Sequence, residues 1–280
     1  MATVSDSLTL DPATIAAFRD VVYGYWRTCG RHDLPWRQTR DPYAVLVSEV
    51  MLQQTQVARV IPRFDAWLER FPSIDALAAA PLTAVLEQWQ GLGYNRRAIA
   101  LKRTAEGVSF EMAGVLPDTE AALRALPGIG PATAAGVVAF AHGAPAVYLE
   151  TNVRAVYLHH FFADRDSVPD REIIPIVAAT LHAENPRDWY YALLDYGVHL
   201  KSTLPNPSRR SRHHTTQSTF QGSRRQKRAM LLRGVLAEPG MTSAALAEAL
   251  GLDERLTDSI LDDLASEGFL VCDDGRYAVA

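Results

Sequence analysis

The sequence predicts an almost wholly α-helical protein with one small β-hairpin close to its C-terminus. Three observations carry that expectation. Apolar residues recur at helical spacing in six long segments before residue 183, beside a seventh, starting near Pro42, that is apolar nearly all round. The run Leu126-Pro127-Gly128-Ile129-Gly130-Pro131-Ala132-Thr133-Ala134 places a glycine turn directly before a helix. After residue 224, three amphipathic segments precede two short strand-like ones, the order of a winged helix.

Taken in order, the helical segments are Pro12 to Cys29, one starting near Pro42, Gln56 to Phe71, Arg96 to Ala113, Pro131 to His142, Asn152 to Phe162 and Arg171 to His182. The Pro42 helix reads Tyr43-Ala44-Val45-Leu46-Val47-Ser48-Glu49-Val50-Met51-Leu52 and is apolar on nearly every side, which predicts burial. A carboxyl group there holds its proton more tightly than a solvated one, and that is the property of a general acid. The plainer reading of Glu49 is a core carboxylate that caps or pairs. In the glycine turn, Gly128 and Gly130 permit positive φ and close backbone approach, and Pro131 suits a first helical position. The outward amides of the next turn then form an anion site suited to a nucleic-acid backbone, although the same residues also make an ordinary helix-turn-helix corner.

At the C-terminal end, Arg225 to Leu236, Thr242 to Leu250 and Leu256 to Glu267 are expected as helices, and Phe269-Leu270-Val271 and Tyr277-Ala278-Val279 as a hairpin around Asp273-Asp274-Gly275. The would-be recognition helix carries Asp258, Asp262, Asp263 and Glu267, which repel phosphates. The wing is therefore expected to pack or bind a partner first and to read a DNA groove second.

Several of these motifs stand in a fixed order. Leu34-Pro35-Trp36-Arg37, the Glu49 helix, Gly91-Leu92-Gly93-Tyr94 with Arg96 and Arg97, the Leu126 to Ala134 hairpin and Asn152-Val153-Arg154 together resemble the helix-hairpin-helix DNA glycosylases, in their adenine DNA glycosylase branch. The resemblance covers about residues 10 to 200. It implies a mainly α, two-lobed fold: a glycosylase domain over 1–203, with a six-helix lobe at about 38–147 and a second lobe from 10–37 plus 148–203. A basic linker over 204–224 and a winged-helix-like domain over 225–280 follow.

The resemblance further implies a monofunctional N-glycosylase of base excision repair, flipping a purine from duplex DNA and hydrolysing its glycosidic bond. Glu49 then protonates the departing purine, Glu150 steadies the oxocarbenium-like sugar, and Asn152 positions the catalytic groups. Arg37 and Tyr191 stand in the base pocket. Gln54 and Tyr94 wedge into the base stack, and Gly128, Gly130 and Thr133 hold backbone phosphate. Related lyases carry a Schiff-base lysine where this chain has Ala132, so strand cleavage is not expected.

The chain departs from the family pattern in four places. Glu150 replaces an aspartate, one methylene longer. Most relatives have four cysteines after the equivalent of Leu194-Asp195-Tyr196-Gly197, whereas this chain has two in all, and Lys201 stands at the first ligand position. No iron-sulfur cluster is therefore expected, and no other cofactor, although the hairpin is open to a monovalent cation. The adjacent His213 and His214 are read as solvated or phosphate-facing rather than as metal ligands. About fifty C-terminal residues are too few for the usual opposite-strand domain. Tyr191 stands where relatives carry Gln or Glu. Together with Glu150 it keeps hypoxanthine as an alternative target to adenine opposite guanine or 8-oxoguanine, and DNA binding without catalysis is a second alternative.

Charge points the same way. Residues 201–230 hold Lys201, Arg209, Arg210, Arg212, Arg224, Arg225, Lys227 and Arg228 with no acid, which leaves twenty bases against 32 acids elsewhere although the whole chain is only −4. Lys201, Arg209, Arg210 and Arg212 are thus expected to contact phosphate, a solvated linker being the plainer reading. The remaining expectations are double-stranded DNA as partner, no membrane, a monomer, and a cytoplasmic, nucleoid-associated location. The polar stretch Met1 to Asp11 lacks the basic start of a leader, and two distant cysteines suit a reducing compartment.

Overall fold

Side-chain caps and prolines set most of the helix boundaries in the computed structural model, which describes residues 10–215 and 219–280. Helix α1 (Pro12–Cys29) is capped by Asp11, whose carboxylate accepts from Thr14 N at 2.9 Å. A 3₁₀ turn at Pro35–Arg37 leads into α2 (Pro42–Leu52). Helices α3 (Val57–Arg70), α4 (Ile74–Ala79), α5 (Leu82–Trp89) and α6 (Arg96–Glu111) follow. Then come α7 (Glu120–Arg124) and α8 (Pro131–Val137), which passes into a π-helical turn at Val138–His142. Helices α9 (Thr151–Phe161), α10 (Asp170–Thr180) and α11 (Pro186–Thr203) precede α12 (Arg224–Ala237), β1 (Met241–Thr242), α13 (Ser243–Leu250), α14 (Glu254–Ser266), β2 (Leu270–Asp273) and β3 (Arg276–Val279).

The mainly helical class is as the sequence predicts, with boundaries differing by one or two residues. Four helices fall outside the predicted segments. Helices α4, α5 and α7 are a few residues each, too short to show a period. The first two turns of α11 are buried on every side, so Trp189, Tyr190 and Tyr191 hide its amphipathic stripe. The wing has a third strand, β1, antiparallel to β3 in the order β1-β3-β2, with Cys272 opposite Tyr277. The Met1 to Asp11 stretch lies, for its first nine residues, outside the described residues.

The chain divides into two compact units. The first comprises residues 10–50 with 116–215 and is centred on an aromatic core. Phe18 packs edge-on against Trp189 at 5.7 Å and tilted against Tyr157 at 5.4 Å, and all three are buried. The second comprises residues 51–115 with 219–280, so the winged helix and helices α3 to α6 are one body. Trp67 and Trp89 meet edge to face at 5.4 Å beneath α3 and α5. Leu231, Val235, Ile260, Leu261 and Phe269 fill the wing's interior.

Residues 204–224 are expected as a linker, yet their first half is folded onto the first unit. Val168 N donates to Arg210 O and Arg212 N to Val168 O, a parallel bridge between Val168 and Ser211. Ser208 and Ser211 are buried, and Ser208 Oγ donates to Thr151 O.

Candidate active site and wedge loops

Helix α2 brings Glu49 into the first unit. It keeps some accessible surface, but dense packing surrounds its carboxyl group. Burial first, and then the nearby Glu150 charge, push its pKa up from 4.5 to about 8, against a smaller opposite pull from the Tyr148 hydroxyl, which donates to Oε2 at 3.4 Å. A carboxyl that is neutral near pH 7 can deliver a proton.

Glu150 sits one residue before α9 and caps it. Its Oε1 accepts from the Asn152 and Val153 amides, the latter at 2.9 Å. The extra methylene thus curls the carboxylate back onto its own helix N-terminus. Burial raises its pKa, opposed by those two amides and then by Lys201 and Arg154. Asn152 Nδ2 donates to Glu150 Oε2 at 3.3 Å, and Lys201 Nζ donates to Asn152 Oδ1 at 2.7 Å. Lys201 therefore belongs to the carboxylate cluster and not only to the basic segment. The chain Lys201-Asn152-Glu150 fixes which way the carboxylate faces.

Two glycines make room for this arrangement, and sequence reading missed both. A Cβ on Gly136 of α8 would collide with the Glu49 carboxyl, and one on Gly197 of α11 with the main chain of Asn152. Neither has an unusual φ, so no turn signal could have revealed them; close approach alone requires them.

The expected base-pocket residues lie together. Arg37 stands over the Tyr191 ring at 4.3 Å, and Phe140, presented by the π-helical turn, stacks on Tyr191 at 4.5 Å and 3°. Burial pushes the Tyr191 hydroxyl up to about 12, so it stays a neutral donor. Arg37 grips Asp195 with two bonds of 2.8 and 2.9 Å, and Arg31 joins at 2.7 Å. Burial alone would raise Asp195, but these bonds hold it below the usual carboxylate range. Arg37 Nε is buried and has no hydrogen-bond partner among the described residues. In the sequence Asp195 is visible only as part of the Leu194-Asp195-Tyr196-Gly197 landmark.

In the hairpin, Gly128 takes φ 72°, but Gly130 does not use its freedom: it is an extended N-cap at φ −84°, ψ 175°. Both glycines are exposed, whereas Thr133 is buried in α8. Arg209 and Arg212 are exposed and Arg210 half-buried.

The two wedge candidates lie in the second unit, and both adopt left-handed backbone unusual for their types, Gln54 at φ 53° and Tyr94 at φ 48°. Strain of this kind survives where the surroundings impose it. Here Arg97 does so. It donates to Met51 O at 3.0 Å, Gln53 O at 2.6 Å, Thr55 Oγ1 at 3.0 Å, Leu92 O at 3.3 Å and Gly93 O at 2.9 Å, tying both loops together. Gln54 and Tyr94 remain exposed.

The family's iron-sulfur cluster needs four thiolates. Cys29 and Cys272 are exposed and lie in different units, and Lys201 points its amine to Asn152, so the residues present do not fit such a group. Among the described residues no three His, Cys, Asp or Glu side chains gather as a metal site, and no helix is long and apolar enough to cross a membrane.

Comparison with known proteins agrees with the geometry. Residues 47–174 match the model of the HhH-GPD superfamily base excision DNA repair proteins. An adenine DNA glycosylase of Buchnera aphidicola (subspecies Baizongia pistaciae) is 36% identical over 189 residues, covering 66% of this chain and 53% of that protein. One from Mycolicibacterium smegmatis is 39% identical over 170 residues, 60% of this chain and 58% of that protein. The chain thus spans little more than half the length of these two relatives. One from Mycobacterium tuberculosis is 32% identical over 283 residues and 91% of both chains. In fold, the chain is similar to a thermostable thymine-DNA glycosylase at TM-score 0.58 and 24% identity, over 65% of this chain and 85% of that one. It is also similar to endonuclease III in a non-covalent DNA complex at TM-score 0.53 and 21% identity, over 76% of this chain and 91% of that one. On these matches the chain belongs to the HhH-GPD base excision DNA repair superfamily and, within it, to the adenine DNA glycosylase family.

Proposed function

We propose that this protein is a monofunctional DNA N-glycosylase that flips a mispaired adenine out of duplex DNA and hydrolyses its glycosidic bond, acting opposite guanine or 8-oxoguanine. One observation carries the reading. Two neighbouring carboxyl groups are held in different environments: Glu49 is pushed up to about 8 by burial and the Glu150 charge, while at Glu150 the rise from burial is opposed by two helix amides, Lys201 and Arg154. Cleavage through a sugar cation uses one carboxyl as proton donor and a second to face the cation, and the two environments suit that division. Glu49 protonates the departing purine, and Glu150, oriented by Asn152, faces the positive charge on the sugar and its water adduct.

Arg37 and Tyr191 form the wall of the base pocket. The exposed, strained Gln54 and Tyr94 act as wedges. Gly128, Gly130 and the main chain at Thr133 hold phosphate, as do Arg209, Arg210 and Arg212. No cluster is used, and with Ala132 at the lyase position the reaction stops at the abasic site. The names of the relatives support adenine over hypoxanthine, and catalysis over binding alone.

The test uses the protein in excess over duplexes carrying adenine opposite guanine, adenine opposite 8-oxoguanine, or hypoxanthine opposite thymine or cytosine. Strand breaks at adenine that appear only after alkali are expected. Breaks only at hypoxanthine would overturn the adenine assignment, breaks without alkali the monofunctional one, and no breaks at all the enzyme.

A further inference from the structure

Within the second unit a cleft of about 1070 Å³ opens between the wedge loops and the winged helix. Its lining is unlike the rest of an acidic chain: Arg59, Arg96, Arg97, Arg224, Arg225, Arg228 and Arg233 against only Asp263 and Glu267. The two acids are engaged in holding the wing in place. Glu267 takes two bonds from Arg96, at 2.6 and 2.8 Å, and one from Arg228 at 2.7 Å; Asp263 takes one from Arg224 at 2.7 Å. Arg59 and Arg233, both exposed, have no ion pair among the described residues.

The wing also reaches the wedge. Arg225 of α12 donates to the Tyr94 hydroxyl at 2.6 Å and stands over the Tyr94 ring at 5.6 Å and the Phe220 ring at 6.0 Å. Phe220 is 54% exposed and Tyr94 38%. Exposed rings beside guanidinium groups suit an unstacked base and its phosphates. The volume is at the top of the range for small-ligand pockets, about 300–1,000 Å³, leaving room for more than one nucleotide.

We infer that this cleft is a binding site for the intact strand of the DNA, its phosphates on Arg59 and Arg233 and one unstacked base against Phe220, with Arg225 as a positioning residue for Tyr94. The inference rests on the proposed glycosylase reading, in which the target nucleotide goes to Glu49 and the cleft is left for the rest of the DNA. The wing enters through α12 and the cleft; at the end of α14, Asp263 and the capping Glu267 are taken up by Arg224, Arg228 and Arg96.

The experiment measures affinity against salt for a duplex holding a stable abasic analogue, with 2-aminopurine opposite it. Because this probe has no base to release, binding is read separately from catalysis. For Arg59→Ala with Arg233→Ala, affinity at physiological salt should fall at least tenfold, and the slope of log affinity against log salt should flatten by about 2, roughly 0.9 per lost phosphate contact. Phe220→Ala should remove the fluorescence change of 2-aminopurine while leaving the slope intact. All three positions are exposed, so unchanged thermal melting will certify the fold. Unaltered affinity, slope and fluorescence in correctly folded variants would overturn the site. Wild-type binding with these responses but without base release from an adenine duplex would instead overturn the glycosylase reading alone.

Discussion

Replacing Glu49 by glutamine should stabilise the protein while abolishing base release, and the stabilisation should depend on pH. The group is at about 8 in the folded chain and 4.5 as an ordinary carboxyl. A raised pKa means that the folded state favours the proton, so the site costs nothing below the ordinary value and increasingly more as pH rises toward the folded one. By proton linkage that cost is about 1 kcal/mol at pH 5 and about 4 kcal/mol at pH 8. Glutamine carries no such cost. Urea unfolding of Glu49→Gln against the parent should therefore show a stability difference that grows by about 3 kcal/mol between pH 5 and 8, while the pH-independent loss of the Tyr148 bond shifts both points equally. In the parent, single-turnover base release should fall about tenfold between pH 7 and 9 as the acid deprotonates. Parallel stability curves, or full activity in the variant, would refute the protonated Glu49.

Three further perturbations follow from the geometry. Gly136→Ala, which in an ordinary helix gains up to about 1 kcal/mol, should here lower base release at least tenfold, because the added methyl meets the Glu49 carboxyl; an active, more stable variant would remove that contact from the mechanism. Lys201→Met takes away a charge that holds Glu150 down, so the acidic limb of the pH–rate profile should move to higher pH; an unmoved limb would return Lys201 to a purely structural role. Arg97→Lys cannot reproduce a fan of bonds to two loops, and duplex affinity should drop by about 2 kcal/mol with the single-turnover rate at saturation little changed; unchanged affinity in filter binding would separate loop order from DNA binding.

What was legible in the sequence was whatever repeats along the chain or breaks it. The Glu49 helix showed itself because ten consecutive positions are nearly all apolar around one acid, and the hairpin because proline and glycine punctuate it. Spatial neighbours many residues apart left no such trace. Gly136 and Gly197 look like ordinary helix residues until Glu49 and Asn152 arrive beside them. Asp195 gains its meaning only when Arg31 and Arg37 close on it from 164 and 158 residues away. The segment after α11 resembles a linker in composition, but its main chain pairs with Val168. Gly130 shows the converse: a residue permitted positive φ need not take it.

The ion pair between Arg96 and Glu267 spans 171 residues. At about 5–20 residues per second, a ribosome needs roughly ten to thirty seconds to travel that far. For that whole interval helices α3 to α6 exist without the complete wing that closes their body. The position of Tyr94 is thus settled late in folding, once Arg225 and the helices behind it have emerged.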